Sequence, residues 1–254
     1  MKVLVTRAEG PGKRTAERLR RAGYYPVLLP LMEYRDTGAT LTEGPFDAIV
    51  FTGAAAIAIL SARIAADDHL AGLFRLPAFC VGEATAKAAL ASGFEHALAG
   101  PGTAAELVDF IAGNLSLKGS ADGPPALLYP APAERAFDLA NAAGARGIAI
   151  AEVIIYSAEM LDPGAGALGG ALDQCAGGAA LLYSRRSAEH LLALATKHAL
   201  QERLAGLTLI AISENVAETI AGRGPRVLVS QLPYENGLFE LLDQLAGGGA
   251  TLQG

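Results

Sequence analysis

Apolar residues recur along this chain in short runs, each bounded by glycine, proline or charge. The clearest lie at 3–6, 26–29, 48–51, 78–81, 126–129, 181–183, 207–212 and 227–229. Runs this short and continuous predict strands buried on both faces of a parallel sheet. Between them lie stretches with helical spacing. Residues 15–22 carry a basic face closed by Gly23, with Lys13, Arg14, Arg18, Arg20 and Arg21 as its wet side. Residues 103–111 start at Thr103, a plausible N-cap, with Glu106 at the capping-box position. Residues 138–143 end at Gly144. Alternating strands and helices predict an α/β fold with helices on both faces of each sheet. Residues 118–125 read as a polar break rich in glycine and proline, and 247–254 as a disordered tail.

The pattern occurs twice. Phe51-Thr52-Gly53-Ala54 and Tyr183-Ser184-Arg185-Arg186 each end an apolar run. Val81-Gly82-Glu83-Ala84-Thr85 is echoed 131 positions later by Ile212-Ser213-Glu214-Asn215-Val216, Gly93 by Gly224, and Leu107 by Leu238. That period is too long for a solenoid and fits two copies of one α/β domain. Two segments break the pattern: Leu31-Met32-Glu33-Tyr34-Arg35 and Glu152-Val153-Ile154-Ile155-Tyr156-Ser157 follow strands without leading into helices. They read as paired extended connectors, with the chain leaving the first domain, building the second and returning. A tandem split near residue 122 is the competing layout, and periodicity does not choose between them.

The 254 residues suit two domains, and 52% apolar content supplies their cores. A net charge of −6 argues against general nucleic-acid binding, which needs a basic surface. Arg7 interrupts the first apolar run too early for a signal peptide, and no apolar stretch is long enough to span a bilayer. Cys80 and Cys175 stand far apart without a partner motif, as in a reduced cytoplasmic protein.

Candidate chemistry is sparse. Gly164-Ala165-Gly166-Ala167-Leu168-Gly169 matches the dinucleotide-binding pattern. No acidic residue ends the next strand, however, and a flexible loop is the better reading. The four histidines lack metal-ligand spacing, and there is no nucleophile elbow or phosphate-binding loop. Gly82 and Ser213 each stand at a strand-to-helix junction, where backbone N–H groups can hold a carboxylate or merely start a helix. Arg7, Arg185 and Arg186 follow strands, at the edge that faces ligands in open sheets. Tyr34 and Tyr156 by themselves read as ordinary strand aromatics.

The order Val5-Thr6-Arg7, Pro30, Phe51-Thr52-Gly53, Val81-Gly82-x-x-Thr85 with Gly93, Tyr156, and Tyr183-Ser184 resembles uroporphyrinogen-III synthase over nearly the whole chain. Three positions depart from that family's pattern. Ala8 stands where proline follows Thr-Arg, Gly53 where Phe-Thr is followed by serine, and Val216 where the second Gly-x-x-Thr region has threonine. The last departure leaves residue 216 only a backbone role. The resemblance implies two similar flavodoxin-like parallel-sheet domains, 1–34 plus 158–254 and 38–151, joined by a two-stranded connector at 35–37 and 152–157. It places the active site in the cleft between them. It implies a monomeric cytoplasmic lyase without metal or cofactor that cyclises hydroxymethylbilane, a linear tetrapyrrole polycarboxylate. Water is lost and ring D inverts through a spirocyclic intermediate. Transient contact with hydroxymethylbilane synthase is the one protein partner implied.

The same resemblance makes Tyr156 the donor that assists hydroxyl departure, with Thr85 as a second catalytic hydroxyl. It makes Thr52, Gly53, Gly82, Ser184 and Ser213 substrate-binding positions, and positive charge adds Arg7 and Arg185 to them. The rival readings are a non-catalytic two-domain sensor of an organic anion, a nucleotide-dependent enzyme built on residues 164–169, and a family member that has lost activity.

Overall fold

A computed structural model describes residues 1–42, 44–115, 124–135, 137–232 and 234–247. The chain divides into two compact units. Unit 1 is Met1–Glu33 with Glu159–Gly254, and unit 2 is Tyr34–Ala158. Unit 1 opens with β1 (Lys2–Val5), α1 (Glu9–Arg21) and β2 (Tyr25–Leu28). The strand β3 (Met32–Asp36) leads into unit 2. There follow β4 (Ala48–Phe51), α2 (Ala54–Ala66), a 3-10 segment Asp68–Arg75, β5 (Ala78–Cys80), α3 (Glu83–Ala91), β6 (Ala97–Ala99), α4 (Ala104–Asn114), β7 (Ala126–Pro132) and α5 (Leu139–Gly144). The long strand β8 (Ala149–Met160) returns to unit 1. That unit ends with α6 (Gly164–Gln174), β9 (Ala179–Leu182), α7 (Arg185–Lys197), α8 (Gln201–Ala205), β10 (Thr208–Ala211), α9 (Glu214–Glu218), β11 (Arg226–Val229) and α10 (Glu235–Gly247).

The unit 1 sheet has the order β11-β10-β9-β1-β2 and is parallel throughout. Numbered by chain order within the unit, this is the flavodoxin-like order 2-1-3-4-5. The other sheet runs β3-β8-β7-β4-β5-β6 and is parallel from β8 to β6. Counted from β4, its order is 3-2-1-4-5, the same arrangement with the chain beginning at a different strand. The 131-residue offset therefore links real counterparts: β4 with β9, α2 with α7, and the starts of α3 and α9. Gly93 and Gly224, also 131 apart, both need the left-handed backbone at φ 105° and 108°.

Strand burial follows position. The inner strands β4 and β9 are buried at every residue, as their unbroken apolar runs require. The edge strand β2 tolerates Pro26 and leaves Tyr25 exposed, because its outer side has no ladder to complete. Helices cover both faces of each sheet. In unit 2 one face holds Phe51, Ile57, Leu60 and Phe94, and the other Leu107, Ile111, Leu127 and Tyr129.

The strand β3 lies beside β8. The Thr37 N–H donates to the Ile155 carbonyl and, at the other end, the Leu161 N–H donates to the Leu31 carbonyl. The two stretches read as connectors are thus antiparallel neighbours. Strand β7 carries two prolines although it lies between β4 and β8. Its pairing with β4 stops at Leu128, so Pro130 and Pro132 fall where no ladder bond on that side is lost. Between Ala131 and Pro132 the β7–β8 register shifts, so that Pro132 faces Tyr156 instead of Ile155. A bulge re-aims the side chains beyond it. Val153, Ile155 and Tyr156 consequently pack in one cluster, which strict alternation along a strand forbids.

Two elements differ from the sequence reading. Residues 164–169 are not a loop but the start of α6. The Asp162 carboxylate accepts the Gly164 N–H at 2.9 Å and opens the helix. Leu168 and Leu172 bury one face, and Gly169 lets Arg203 and Leu200 approach closely. Each glycine costs about 1 kcal/mol of helix propensity, and burial of the two leucines outweighs it. Helix α1 begins at Glu9, six residues before the predicted start. Pro11 sits in its first turn, where its missing N–H is not needed. The helix at 104–114 starts as expected, with Thr103 accepting the Glu106 N–H and donating to its carboxylate. Of the polar break at 118–125, residues 118–123 lie outside the described residues, as do 248–254 of the tail.

Candidate active site

Open parallel sheets bind ligands beyond the C-terminal ends of their strands, where the direction of chain progression reverses. In unit 2 this point lies between β4, which steps outward to β5, and β7, which steps the other way to β8. Thr52 follows β4, and its hydroxyl lies 3.1 Å from the Tyr129 hydroxyl of β7. Gly53 is the N-cap of α2 and provides no side-chain cap. The leading N–H groups of α2, at the positive end of its dipole, therefore lack a capping oxygen.

Tyr156 borders the same helix end. A methyl group on Gly53 would stand 4.0 Å from its hydroxyl oxygen. The ring is buried, 8% of the residue being exposed, and packs edge-on to Tyr34 with centroids 5.6 Å apart. The hydroxyl has no hydrogen bond among the described residues. Ser61 Oγ is the one enclosed side-chain oxygen there without a partner, so the Tyr156 hydroxyl is not sealed in. Burial, with smaller repulsion from Tyr34 and Tyr129, pushes this phenol up to about 12. It stays protonated at neutral pH and can donate its proton within a hydrogen bond or deliver it to a departing hydroxyl. Burial likewise raises Tyr129, against the opposing hydrogen bond from Thr52.

One strand over, Gly82 begins α3, also without a side-chain cap, and Thr85 lies buried in its first turn. The Thr85 N–H is bonded to the Gly82 carbonyl at 3.1 Å, while its hydroxyl has no partner among the described residues. Thr52, Gly53, Gly82, Thr85 and Tyr156 thus share the C-terminal edge of one sheet. A cavity of about 950 Å³ lies elsewhere. It is lined by Leu41, Phe46, Leu70 and Leu76, beside the N-terminal ends of β4 and β5. That is the edge at which this class of sheet does not place its chemistry.

In unit 1 the reversal lies between β1 and β9. The Arg7 guanidinium stands 4.0 Å over the Tyr183 ring, 3.2 Å from Thr15 and 3.3 Å from Glu235. Ser184 accepts the Ser187 N–H at 3.2 Å and so caps α7, the task its counterpart Gly53 leaves undone. Ser213 begins α9 without a side-chain cap. Arg185 pairs at 3.0 Å with Glu189 one turn along an exposed helix face. No group of three or more His, Cys, Asp or Glu residues placed to hold a metal occurs among the described residues, and no helix there is long and apolar enough to cross a membrane.

The family model described as uroporphyrinogen-III synthase HemD matches residues 13–240. The chain belongs to the uroporphyrinogen-III synthase family. Its members are cyclising lyases of haem biosynthesis that act on a tetrapyrrole. A solved uroporphyrinogen-III synthetase from Helicobacter pylori superposes with a TM-score of 0.69 at 19% identity, covering 96% of this chain and 99% of that one, and shares the fold. A mutant synthase from the extreme thermophile Thermus thermophilus gives a TM-score of 0.48 at 16% identity, covering 98% and 99%. A comparison with curated proteins returned no match.

Two residues of these clusters were not marked by the sequence of this synthase-family chain. Tyr129 appeared only as the end of a strand, and nothing signalled its bond to Thr52. Glu235 lies 131 residues after Ala104, so the repeat gave it no acidic counterpart. Arg18, expected on the wet face of α1, instead pairs with Glu235 and donates to Asn236 at 2.8 Å. Burial alone would raise the Glu235 carboxyl. Hydrogen bonds from Thr15 and Tyr183 and the charges of Arg18 and Arg7 outweigh it, and the net shift is downward. A group whose folded value lies below its unfolded one stabilises the fold above the unfolded value, and that contribution fades as pH falls through the folded one. The unfolding midpoint is therefore expected to fall as pH drops below 4.5, with Glu235→Gln flattening part of that slope in thermal melts.

Proposed function

We propose that this chain is a working uroporphyrinogen-III synthase whose chemical donor is Tyr156. It acts on hydroxymethylbilane as a cytoplasmic monomer, with transient contact with hydroxymethylbilane synthase. The observation that carries the assignment of the site is the Tyr156 hydroxyl. It is unpartnered among the described residues, its ring is buried, and it stands at the uncapped start of α2.

The reaction needs a proton for the departing hydroxyl and control of which carbon is attacked. Tyr156 donates to the terminal hydroxyl, which leaves as water and generates an azafulvene cation. That cation attacks the substituted carbon of ring D, giving a spirocyclic pyrrolenine that fragments and recloses with the ring inverted, and the proton lost from the newly bonded ring D carbon restores the Tyr156 phenol. The free substrate closes without inversion, so orientation is the protein's main contribution. The N–H groups at the starts of α2 and α3, beside Gly53 and Gly82, suit carboxylate arms, as helix N-termini do generally. Thr85 and Thr52 supply hydroxyl donors, the latter oriented by Tyr129. Arg7, Ser184, Arg185 and Ser213 are proposed as further carboxylate contacts. Arg185 must first leave Glu189, an exposed pair of little strength.

The test is to add purified protein to freshly made hydroxymethylbilane and separate the product isomers. Predominant type III product is expected. Type I alone, at the spontaneous rate, would reduce the chain to a binding protein.

A further inference from the structure

We propose that Arg7, Thr15, Arg18 and Tyr183 form a carboxylate-binding subsite in unit 1, filled by Glu235 in the free protein and yielded to a carboxylate arm of the tetrapyrrole. The identity of the ligand rests on the function proposed above; the existence of the subsite does not.

Four donors converge on one carboxylate. Glu235 Oε1 accepts from the Thr15 hydroxyl at 2.6 Å, from the Tyr183 hydroxyl at 2.6 Å and from Arg7 Nη1 at 3.3 Å. Its other oxygen accepts from Arg18 Nη1. Two guanidinium groups therefore face a single negative charge, and the cluster, Glu235 included, holds one net positive charge. Neutral-to-anion and cation-to-anion hydrogen bonds of this kind are the strong ones. Burial first, and then the charge of Glu235, raises the Tyr183 phenol, so it remains a donor at neutral pH.

The place is the one where a ligand is expected. Arg7 lies just beyond β1 and Tyr183 just beyond β9, at the reversal point of the unit 1 sheet. Thr15 forms the floor at 1% exposure. The Arg7, Arg18 and Glu235 side chains are 32%, 41% and 19% exposed, so the cluster opens to solvent. Glu235 stands in the first turn of α10, at the end of a side chain with rotatable bonds. The fold does not require an acid there. In unit 2 the equivalent α4 begins at Ala104, and Thr103 caps it instead.

Glu235→Gln removes the competing charge and keeps the shape. Titration calorimetry at low salt would use tricarballylate, a small tricarboxylate that is not a substrate, after a melting scan confirms the fold. The variant is expected to bind it about tenfold more tightly than the parent protein, because a like charge no longer occupies the site. Adding Arg18→Gln is expected to abolish that gain. A folded Glu235→Gln protein with unchanged affinity, or a gain that survives loss of Arg18, would overturn the subsite and leave Glu235 as a structural tie. Should Glu235→Gln not fold, Glu235→Ala serves. It removes both the charge and the arm that fills the site, and tighter binding than the parent is again expected, unchanged binding again being fatal. Tricarballylate binding does not depend on turnover. If the parent protein forms no type III product while these results hold, the function fails and the subsite stands.

Discussion

Tyr156→Phe is expected to lower formation of the type III isomer by about two orders of magnitude while the protein remains folded. The substitution removes one oxygen and no carbon. Because that hydroxyl bonds to nothing among the described residues, its loss leaves no protein group unsatisfied and the ring still packs on Tyr34. The melting temperature should therefore stay near that of the parent. What disappears is a proton donor at the start of α2. Product released without that donor should shift toward type I, the isomer that forms when the linear tetrapyrrole closes unaided. A coupled assay that generates hydroxymethylbilane in place, followed by chromatographic separation of the isomers, reads both rate and ratio. Unchanged rate and ratio would remove Tyr156 from the mechanism. The parent enzyme should also show no loss of rate from this phenol's ionisation until pH nears its raised value of about 12.

Gly178→Ala is expected to have the largest effect on stability of any single methyl addition in unit 1. Gly178 immediately precedes the central strand β9, and its carbonyl accepts the Thr208 N–H at 2.9 Å. A Cβ there would stand 2.2 Å from the Lys2 carbonyl oxygen and 2.9 Å from that of Cys175. Both are backbone atoms. Relief therefore requires β9 to slide or tilt against β1, whose register with it runs from Val3–Ala179 to Val5–Leu181. We expect a loss of about 3 kcal/mol or more, and a fall in melting temperature on the order of 10 °C. Gly53→Ala is the contrasting variant. The same added methyl meets only the Tyr156 hydroxyl, at 4.0 Å, and its backbone is extended, so little stability should be lost. Equal melting temperatures for the two variants would contradict the packing described at the β1–β9 junction.

The inner strands were legible because burial on both faces demands an unbroken apolar run, as in Ala48–Phe51 and Ala179–Leu182. The duplication was legible because two copies of one sheet need the same turns, and Gly93 and Gly224 retain the left-handed conformation that other residues resist. The α6 helix was not legible. Its four glycines signal a loop locally, and only packing of Leu168 and Leu172 against the rest of unit 1 reverses that preference. The long reach of α1 was missed for a similar reason, since Gly10, Pro11 and Gly12 conceal a first turn that tolerates them.

At the candidate site the division is sharper. Motif order pointed to Tyr156, Thr52, Gly53, Gly82 and Thr85 by number, and all but Tyr156, which lies within β8, stand at a strand end or helix start that local sequence marks. It could not say that Tyr156 leaves its alternating face, since the register shift opposite Pro132 exists only once β7 and β8 are paired. Nor could it find Tyr129 beside Thr52, or Glu235 amid Arg7, Thr15, Arg18 and Tyr183. Those partners are separated by 77 residues in the first case and by up to 228 in the second. The chain alone determined the strands, the repeat and the family, all of which follow from neighbouring residues and their spacing. The tertiary structure alone decided where each hydroxyl points and which charge is already answered, because those depend on contacts between segments that sequence proximity does not encode.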